Sequence, residues 1–356
     1  MAPNEAGYRD GDDAIMTTSP CGRHGTTYQV PSGIDSTGSS DTTTALADWI
    51  ASVPDGTADN PSVLQFSGGS YRIDSGLHLT GREHLTFALD GITTFQWDAP
   101  LDASLRLLRF TTCTGITVRY GTLVGTYPYP ASGDALVPAY QWMHAIDVDA
   151  SSVIVAHMII RGFYGDGVYF GNDAGTAAAS SGKVTSCDIR QVGRNAISAV
   201  AADGVTVSGC HIQQTGYWGV DVEPDAAQAA PCRNVTVAGN TFGSQGGTVS
   251  RRWFGIEPNA PISNVTCNSN RLLRRDPSVW VNYDGNGELS ATFRPQNITF
   301  SSNSCDTQAA EPYPFMVFGT DTLSGNGDAI TPASGGTIFG LSGVTGWSGD
   351  DSHTVV

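Results

Sequence analysis

Short phrases of alternating apolar and polar residues return along this chain about once every thirty positions. Six copies are plain: Val153-Ile154-Val155, Lys183-Val184-Thr185, Val205-Thr206-Val207, Val235-Thr236-Val237, Val265-Thr266-Cys267 and Ile298-Thr299-Phe300. Two fainter copies precede them, Leu85-Thr86-Phe87 and Ile116-Thr117-Val118. Take Phe87, Val118, Val155, Val184, Val207, Val237, Cys267 and Phe300 as markers. Their spacings are 31, 37, 29, 23, 30, 30 and 33 residues. Alternation with period two predicts strands with one buried face. A repeat of this length predicts stacked units, none of which can bury its apolar face alone. The unit has room for strand, turn, strand, turn and no long helix, which fits a parallel β-helix.

A second column supports the stacking. Three residues past the marker stand Asn240, Asn270 and Asn303 in successive copies, with Met158, Cys187 and Cys210 before them. Amides in one column can hydrogen-bond along a stack. Asn234, Asn264 and Asn297 open their strand phrases and read as turn residues. They also match N-x-[ST], but turn chemistry is the favoured reading over glycosylation.

Ahead of the repeat, residues 1–27 show no periodicity and read as an arm. Asp41 is a candidate N-cap for a short helix carrying Leu46, Trp49, Ile50 and Val53 at helical spacing, stopped by Pro54-Asp55-Gly56. Such a helix is expected to plug the exposed end of the solenoid. Residues 28–84 therefore hold the capping helix and first coils, and 85–318 the β-helix. Residues 319–356 form a Gly/Ser/Thr-rich segment that caps the coil, packs along it or meets a neighbouring subunit.

Composition narrows the function classes. The net charge is −16, with a single lysine, Lys183, against 17 arginines. That balance argues against nucleic acid or an anionic membrane as partner, since either needs a basic face, and leaves neutral or cationic glycans and proteins open. Only 15% of residues are charged and glycine numbers 43, so this is neither a coiled coil nor a disordered acidic chain. The seven cysteines are widely spaced with no Cys-x-x-Cys pair, so zinc and redox motifs are absent. Buried thiols are expected, with a Cys187–Cys210 bridge left open. No apolar run approaches the roughly 18 residues of a membrane span. The first residues lack the basic and apolar regions of a signal peptide. The expected location is therefore a virion or the extracellular space, reached without a classical signal.

The phrases Asp35-Ser-Thr-Gly-Ser-Ser-Asp41-Thr-Thr-Thr-Ala45-Leu46 and Phe66-Ser-Gly-Gly-Ser-Tyr71-Arg72-Ile73 resemble the entry of the pectate-lyase-like superfamily. Gly165-Asp166-Gly167-Val168-Tyr169 and Trp218-Gly219-Val220-Asp221-Val222-Glu223-Pro224 are similar to β-helix proteins of bacteria and of phage tailspikes and minor tail proteins. The resemblance spans about residues 30–310. It implies an all-β fold, a single-stranded right-handed parallel β-helix, and commonly a homotrimer. Members include polysaccharide lyases, glycosidases, epimerases and tailspikes, so the fold does not fix the activity. The polygalacturonase pattern (N-x-D, D-D, G-H-G, R-x-K) is absent. So are the calcium-binding aspartates and the lysine or arginine base of pectate lyases, which disfavours both activities. No metal and no cofactor are expected.

Candidate chemistry lies on the outward face. Aligning the second strand of each coil brings Gly167-Val168-Tyr169, Ala196-Ile197-Ser198, Gly219-Val220-Asp221 and Phe254-Gly255 together. The outward column reads Tyr169, Ser198, Asp221 and Gly255. Two residues on, Glu223-Pro224 matches Glu257-Pro258, which places Asp221 and Glu223 on one face and Glu223 and Glu257 on adjacent coils. Clustered carboxylates push one pKa upward, as a glycosidase requires of its acid. Pairs about 5–5.5 Å apart retain configuration and pairs about 6.5–9.5 Å apart invert it. Asp221, Glu223 and Glu257 are thus the catalytic candidates. Trp218, Trp253, Tyr169 and Asp166 are the substrate-binding candidates, the two indoles as stacking surfaces for sugars. The competing reading makes Glu-Pro a recurrent corner with its acids solvated or paired to Arg251 and Arg252, and makes Asp166 a turn residue. His144, His157 and His211 read as structural histidines.

The leading expectation is a phage tail or tailspike-like protein that binds, and in one reading depolymerises, a bacterial surface polysaccharide, docking to other virion proteins through its arm. The alternatives are a non-catalytic structural virion component and a stand-alone bacterial polysaccharide hydrolase or lyase.

Overall fold

A computed structural model describes residues 25–129, 137–173, 175, 178–225, 230–243, 252–257, 260–273 and 295–306, with short strand segments from Val279 to Val355. Residues 1–24 of the expected arm, Cys21, Arg251 and Pro258 lie outside the described residues.

Every strand pairing between described strands is parallel, and each links a strand to its counterpart one coil away. The marker column pairs in register as the repeat predicts: Phe87 with Val118, Val118 with Val155, Val155 with Val184, Val184 with Val207, Val207 with Val237, and Cys267 with Phe300. One large sheet contains two such runs of pairings, joined through the long strands Ile116–Val124 and Ser152–Phe163. A second sheet of eleven strands closes the coil. The chain is therefore an all-β parallel β-helix, with marker residues and their alternates in one continuous apolar core.

Each corner between the two runs of the large sheet needs one residue in the left-handed region. His157, Ser186, Ser269 and Ser302 adopt φ of 52–57° there, and Gly209 and Gly239 take the same place in other coils. The residue after the corner points inward and forms the predicted column. The backbone N–H of Cys210 donates to Asn240 Oδ1 at 2.9 Å, Asn240 Nδ2 to Asn270 Oδ1 at 3.0 Å, and Asn270 Nδ2 to Asn303 Oδ1 at 2.9 Å. Cys187 and Cys210 are free and buried in this column. A second, exposed ladder runs through the turn asparagines. Asn297 Nδ2 donates to Asn264 Oδ1, Asn264 Nδ2 to Asn234 Oδ1, and Asn234 Nδ2 to Asp203. All three hold φ near 57°, the positive region asparagine tolerates best after glycine. Where the stack passes closest, glycine is required: a Cβ on Gly182, at φ +147°, would overlap the Val153 carbonyl.

The helix spans Thr43–Ser52 and buries Leu46 and Ile50, while Trp49 packs edge-on against Phe66 at 5.3 Å. Its cap differs from expectation. Thr42 is the N-cap residue, without a side-chain cap bond. Asp41 instead ends a strand paired to Arg72, and its carboxylate reaches forward to accept from the Thr43 N–H and hydroxyl. At the other end, pairing continues past Phe318. Leu323–Asn326 pairs with the strand at Gln296–Ser301, and Phe339–Ser342 with Phe315–Phe318. Ladder bonds come from the backbone, so coils persist where the apolar phrase fades. Among the described residues no helix is long and apolar enough to cross a membrane.

Candidate functional site

The eleven-stranded sheet sets its outward side chains in a straight row. His78 pairs with Arg109, Arg109 with Asp147, Asp147 with Tyr169, Tyr169 with Ser198, Ser198 with Asp221, and Asp221 with Gly255. The four positions aligned from sequence, Tyr169, Ser198, Asp221 and Gly255, thus stand on consecutive coils. Between them, Val168, Phe170, Ile197, Val220 and Val222 point into the core. Strand alternation alone fixes which side chains reach the outer face.

Arg194 organises the middle of the row. Its Nη1 donates to Asp166 Oδ2 and its Nη2 to Glu223 Oε2, both at 2.8 Å. Asp166 also accepts from the Asn195 N–H and the Ser198 hydroxyl, each at 2.9 Å, and its own N–H donates to His144 Nδ1 at 2.8 Å. The flanking glycines explain its position. A Cβ on Gly165 would sit 2.6 Å from the Gln141 carbonyl oxygen, and one on Gly167 2.6 Å from that of Ala196. Asp166 is fully buried, an anchor inside the network rather than a group offered to solvent. His144 is also fully buried and stacks flat on Tyr169 at 4.7 Å. Burial, then the nearby arginines, keep its ring neutral.

Asp221 accepts from Asn195 Nδ2 at 2.9 Å and is 0% exposed. Burial, then the neighbouring carboxylates of Glu223 and Glu257, push its pKa well above the usual range, against the opposing pull of Arg194. Glu223 retains 24% side-chain exposure. The backbone N–H of Glu223 donates to Ala199 O and that of Glu257 to Val222 O, so the two glutamates follow the same column on adjacent coils. The three catalytic candidates are therefore brought together: a buried aspartic acid whose burial favours the protonated form, beside two partly exposed glutamates.

The substrate-binding candidates are placed differently. Trp218 is 1% exposed, and its ring lies against Gly255, whose missing side chain makes room for it. Trp253 is 0% exposed and donates through Nε1 to the Gly243 carbonyl. Both indoles pack rather than present a face to solvent. Tyr169 lies under His144 and is buried. The exposed aromatic at this site is Trp142, at 38%, with the Arg194 guanidinium 5.5 Å from its ring centroid. It precedes the strand phrase Ile146-Asp-Val-Asp149 in a segment without periodicity, so sequence spacing gave no reason to choose it.

The row continues into a second charged group. Asp147 meets Arg106 at 3.1 Å and Arg109 at 3.5 Å, and Asp149 meets Arg109 at 2.9 Å. Asp147 and Asp149 occupy the places of Asp221 and Glu223 three coils earlier. Burial outweighs both arginines and raises Asp147 to about 7. The same acid-x-acid alternation within an apolar strand would have found this pair in the sequence.

Comparison with known proteins bears on the fold. The Yersinia enterocolitica family 28 exopolygalacturonase superposes with a TM-score of 0.55 at 12% identity, over 93% of this chain and 79% of that one. A polygalacturonase from Erwinia carotovora gives 0.53 at 11% identity, over 97% and 100%. The Streptococcus pneumoniae surface adhesin PfbA gives 0.54 at 12% identity, over 91% and 99%. The chain has the right-handed parallel β-helix fold. No family model and no curated protein matches it in sequence. The β-helix thus carries both enzymes and an adhesin at this level of likeness, and the side chains must decide between those roles.

Proposed function

We propose that this protein engages a polysaccharide along the outward row of its eleven-stranded sheet and hydrolyses it with Asp221 and Glu223. The observation that carries the reading is the fully buried Asp221, its pKa raised by that burial, on one face with Glu223 and with Glu257 on the next coil. In this reading Asp221 gives its proton to the leaving glycosidic oxygen, and Glu223 acts as base or nucleophile. Burial favours the protonated form of the acid, and ion pairing with Arg194 holds Glu223 in place. The polysaccharide-degrading β-helix enzymes among the structural neighbours support the substrate class. The resemblance to phage tail proteins supports a virion setting and a bacterial surface glycan as target, with the segment ahead of the strand Thr26–Gln29 as docking arm and a homotrimer as assembly.

One observation favours a second reading. Asp221 has no solvent exposure, and the Asp166–Arg194–Glu223 chain is internally paired. A network closed in this way suits a protein that binds or only builds, as a tail-tip or decoration component would. An assay on purified bacterial envelope polysaccharides separates the readings. New reducing ends without an unsaturated, ultraviolet-absorbing product mean hydrolysis at the carboxylates. Such absorbance means β-elimination by a different base. Silence across the panel means binding or structure alone.

A further inference from the structure

Glu223 and Trp142 both reach solvent at the candidate site, and both touch Arg194. Glu223 pairs with Nη2 at 2.8 Å, and Trp142 lies under the guanidinium at 5.5 Å. Trp142 also meets His144 and Tyr169 edge-on, at 6.0 and 6.4 Å, so it stands over the buried stack of the outward row. Its place is thus fixed by three neighbours while 38% of its surface stays open. A rigid, partly open indole next to a carboxylate is what a pyranose ring stacks upon: its C–H face covers the ring and its hydroxyls reach the acid.

Charge selects among sugars. The described arginines of this face are already held: Arg106 by Asp147, Arg109 by Asp147 and Asp149, Arg194 by Asp166 and Glu223. Against these three cations stand Asp147, Asp149, Asp166, Asp173, Asp221, Glu223 and Glu257. Even counting Asp147, Asp166 and Asp221, whose burial favours the neutral acid, as uncharged, four carboxylates face three guanidiniums. Among the described residues, a uronate polymer would meet this surplus with each arginine of the face already paired.

We infer that Trp142 is the sugar-stacking platform of the site and that it takes a neutral or amino sugar rather than a uronic acid. This rests on the proposed glycan function and names its substrate class. The test is isothermal titration of the full chain with three probes: dextran oligosaccharides, glucosamine oligosaccharides and oligogalacturonate. Trp142→Ala and Trp142→Phe are titrated alongside, with Tyr120→Ala as a control at an equally exposed aromatic on the other sheet. The expected result is binding of a neutral or amino probe, weakened at least tenfold in Trp142→Ala, largely restored in Trp142→Phe and unchanged in Tyr120→Ala. Preference for oligogalacturonate overturns the inference while leaving the glycan function standing. Equal binding by Trp142→Ala and the parent chain does the same. Failure of all three probes to bind overturns it too, and the envelope-polysaccharide assay then decides whether the glycan function falls with it.

Discussion

Arg194 ties Asp166 to Glu223 through two 2.8 Å hydrogen bonds, one from each terminal nitrogen, across successive coils. One end of this bridge is fully buried and the other reaches solvent. The two ends therefore answer to substitution differently. Arg194→Met leaves the Asp166 carboxylate buried without its cation, which should cost about 3–5 kcal/mol. Glu223→Gln keeps the shape and a hydrogen-bonding oxygen at a quarter-exposed position and should change stability by about 1 kcal/mol or less. If Glu223 is the base or nucleophile, the same variant lowers glycan cleavage by about 10²–10⁴-fold. Urea unfolding and reducing-end assays on both variants check these outcomes. Unchanged turnover in Glu223→Gln would remove Glu223 from the site.

The pH dependence of cleavage follows from Asp221. A general acid works only while it holds its proton. Burial and two neighbouring carboxylates raise the Asp221 pKa well above the ordinary value. Cleavage should therefore persist above the ordinary aspartate range and fall as pH rises through that raised value. A pH profile of kcat/KM measures it. An acid limb that alone controls the rate, with no alkaline fall, would take Asp221 out of the acid role.

The fold was legible because its signal is a repeat. The marker column and the Asn240–Asn270–Asn303 column both register as the spacing predicts. So does the outward row from Tyr169 to Gly255, because strand alternation alone decides which face a side chain takes. What sequence did not reveal depends on loops and on depth. Trp218 and Trp253 look like surface aromatics beside an acid motif, yet Gly255 leaves room for the Trp218 ring and the buried Trp253 donates to the Gly243 carbonyl. Arg194 sits in an aperiodic turn, and its two partners lie 28 and 29 residues away, a distance only the coil closes. Asp41 missed its cap by one residue because strand pairing to Arg72 outranks local helix preference.

The inner asparagine ladder should be a large local source of stability. Asn270 Oδ1 accepts from both the backbone and the side chain of Asn240, and its Nδ2 donates to the Val237 carbonyl and to Asn303. Asn270→Leu approximates the volume but strands the Asn240 N–H and the Val237 carbonyl in a buried corner. Each orphaned group costs about 1–3 kcal/mol. A loss of about 2–5 kcal/mol is expected in chemical denaturation. Asn264→Ala, in the exposed outer ladder, should cost far less, since water can replace its partners.

Asp147 supplies the sharpest test of burial against ion pairing. It sits 3.1 Å from Arg106 and 3.5 Å from Arg109, an arrangement that by itself would lower its pKa. Burial is the larger influence and lifts it to about 7. A carboxyl whose folded pKa exceeds its unfolded one binds its proton more tightly in the folded state. Its stabilising contribution is present in full below the unfolded value, near 4, and is lost as pH rises through about 7. The displacement corresponds to at most about 4 kcal/mol across that window. Asp147→Asn mimics the protonated group and cannot ionise. The variant should match the parent near pH 4, exceed it in stability near pH 8, and show a flatter stability profile between. Denaturation midpoints at the two pH values measure this. A variant less stable than the parent at pH 8 would mean that the arginine pair, not burial, governs Asp147.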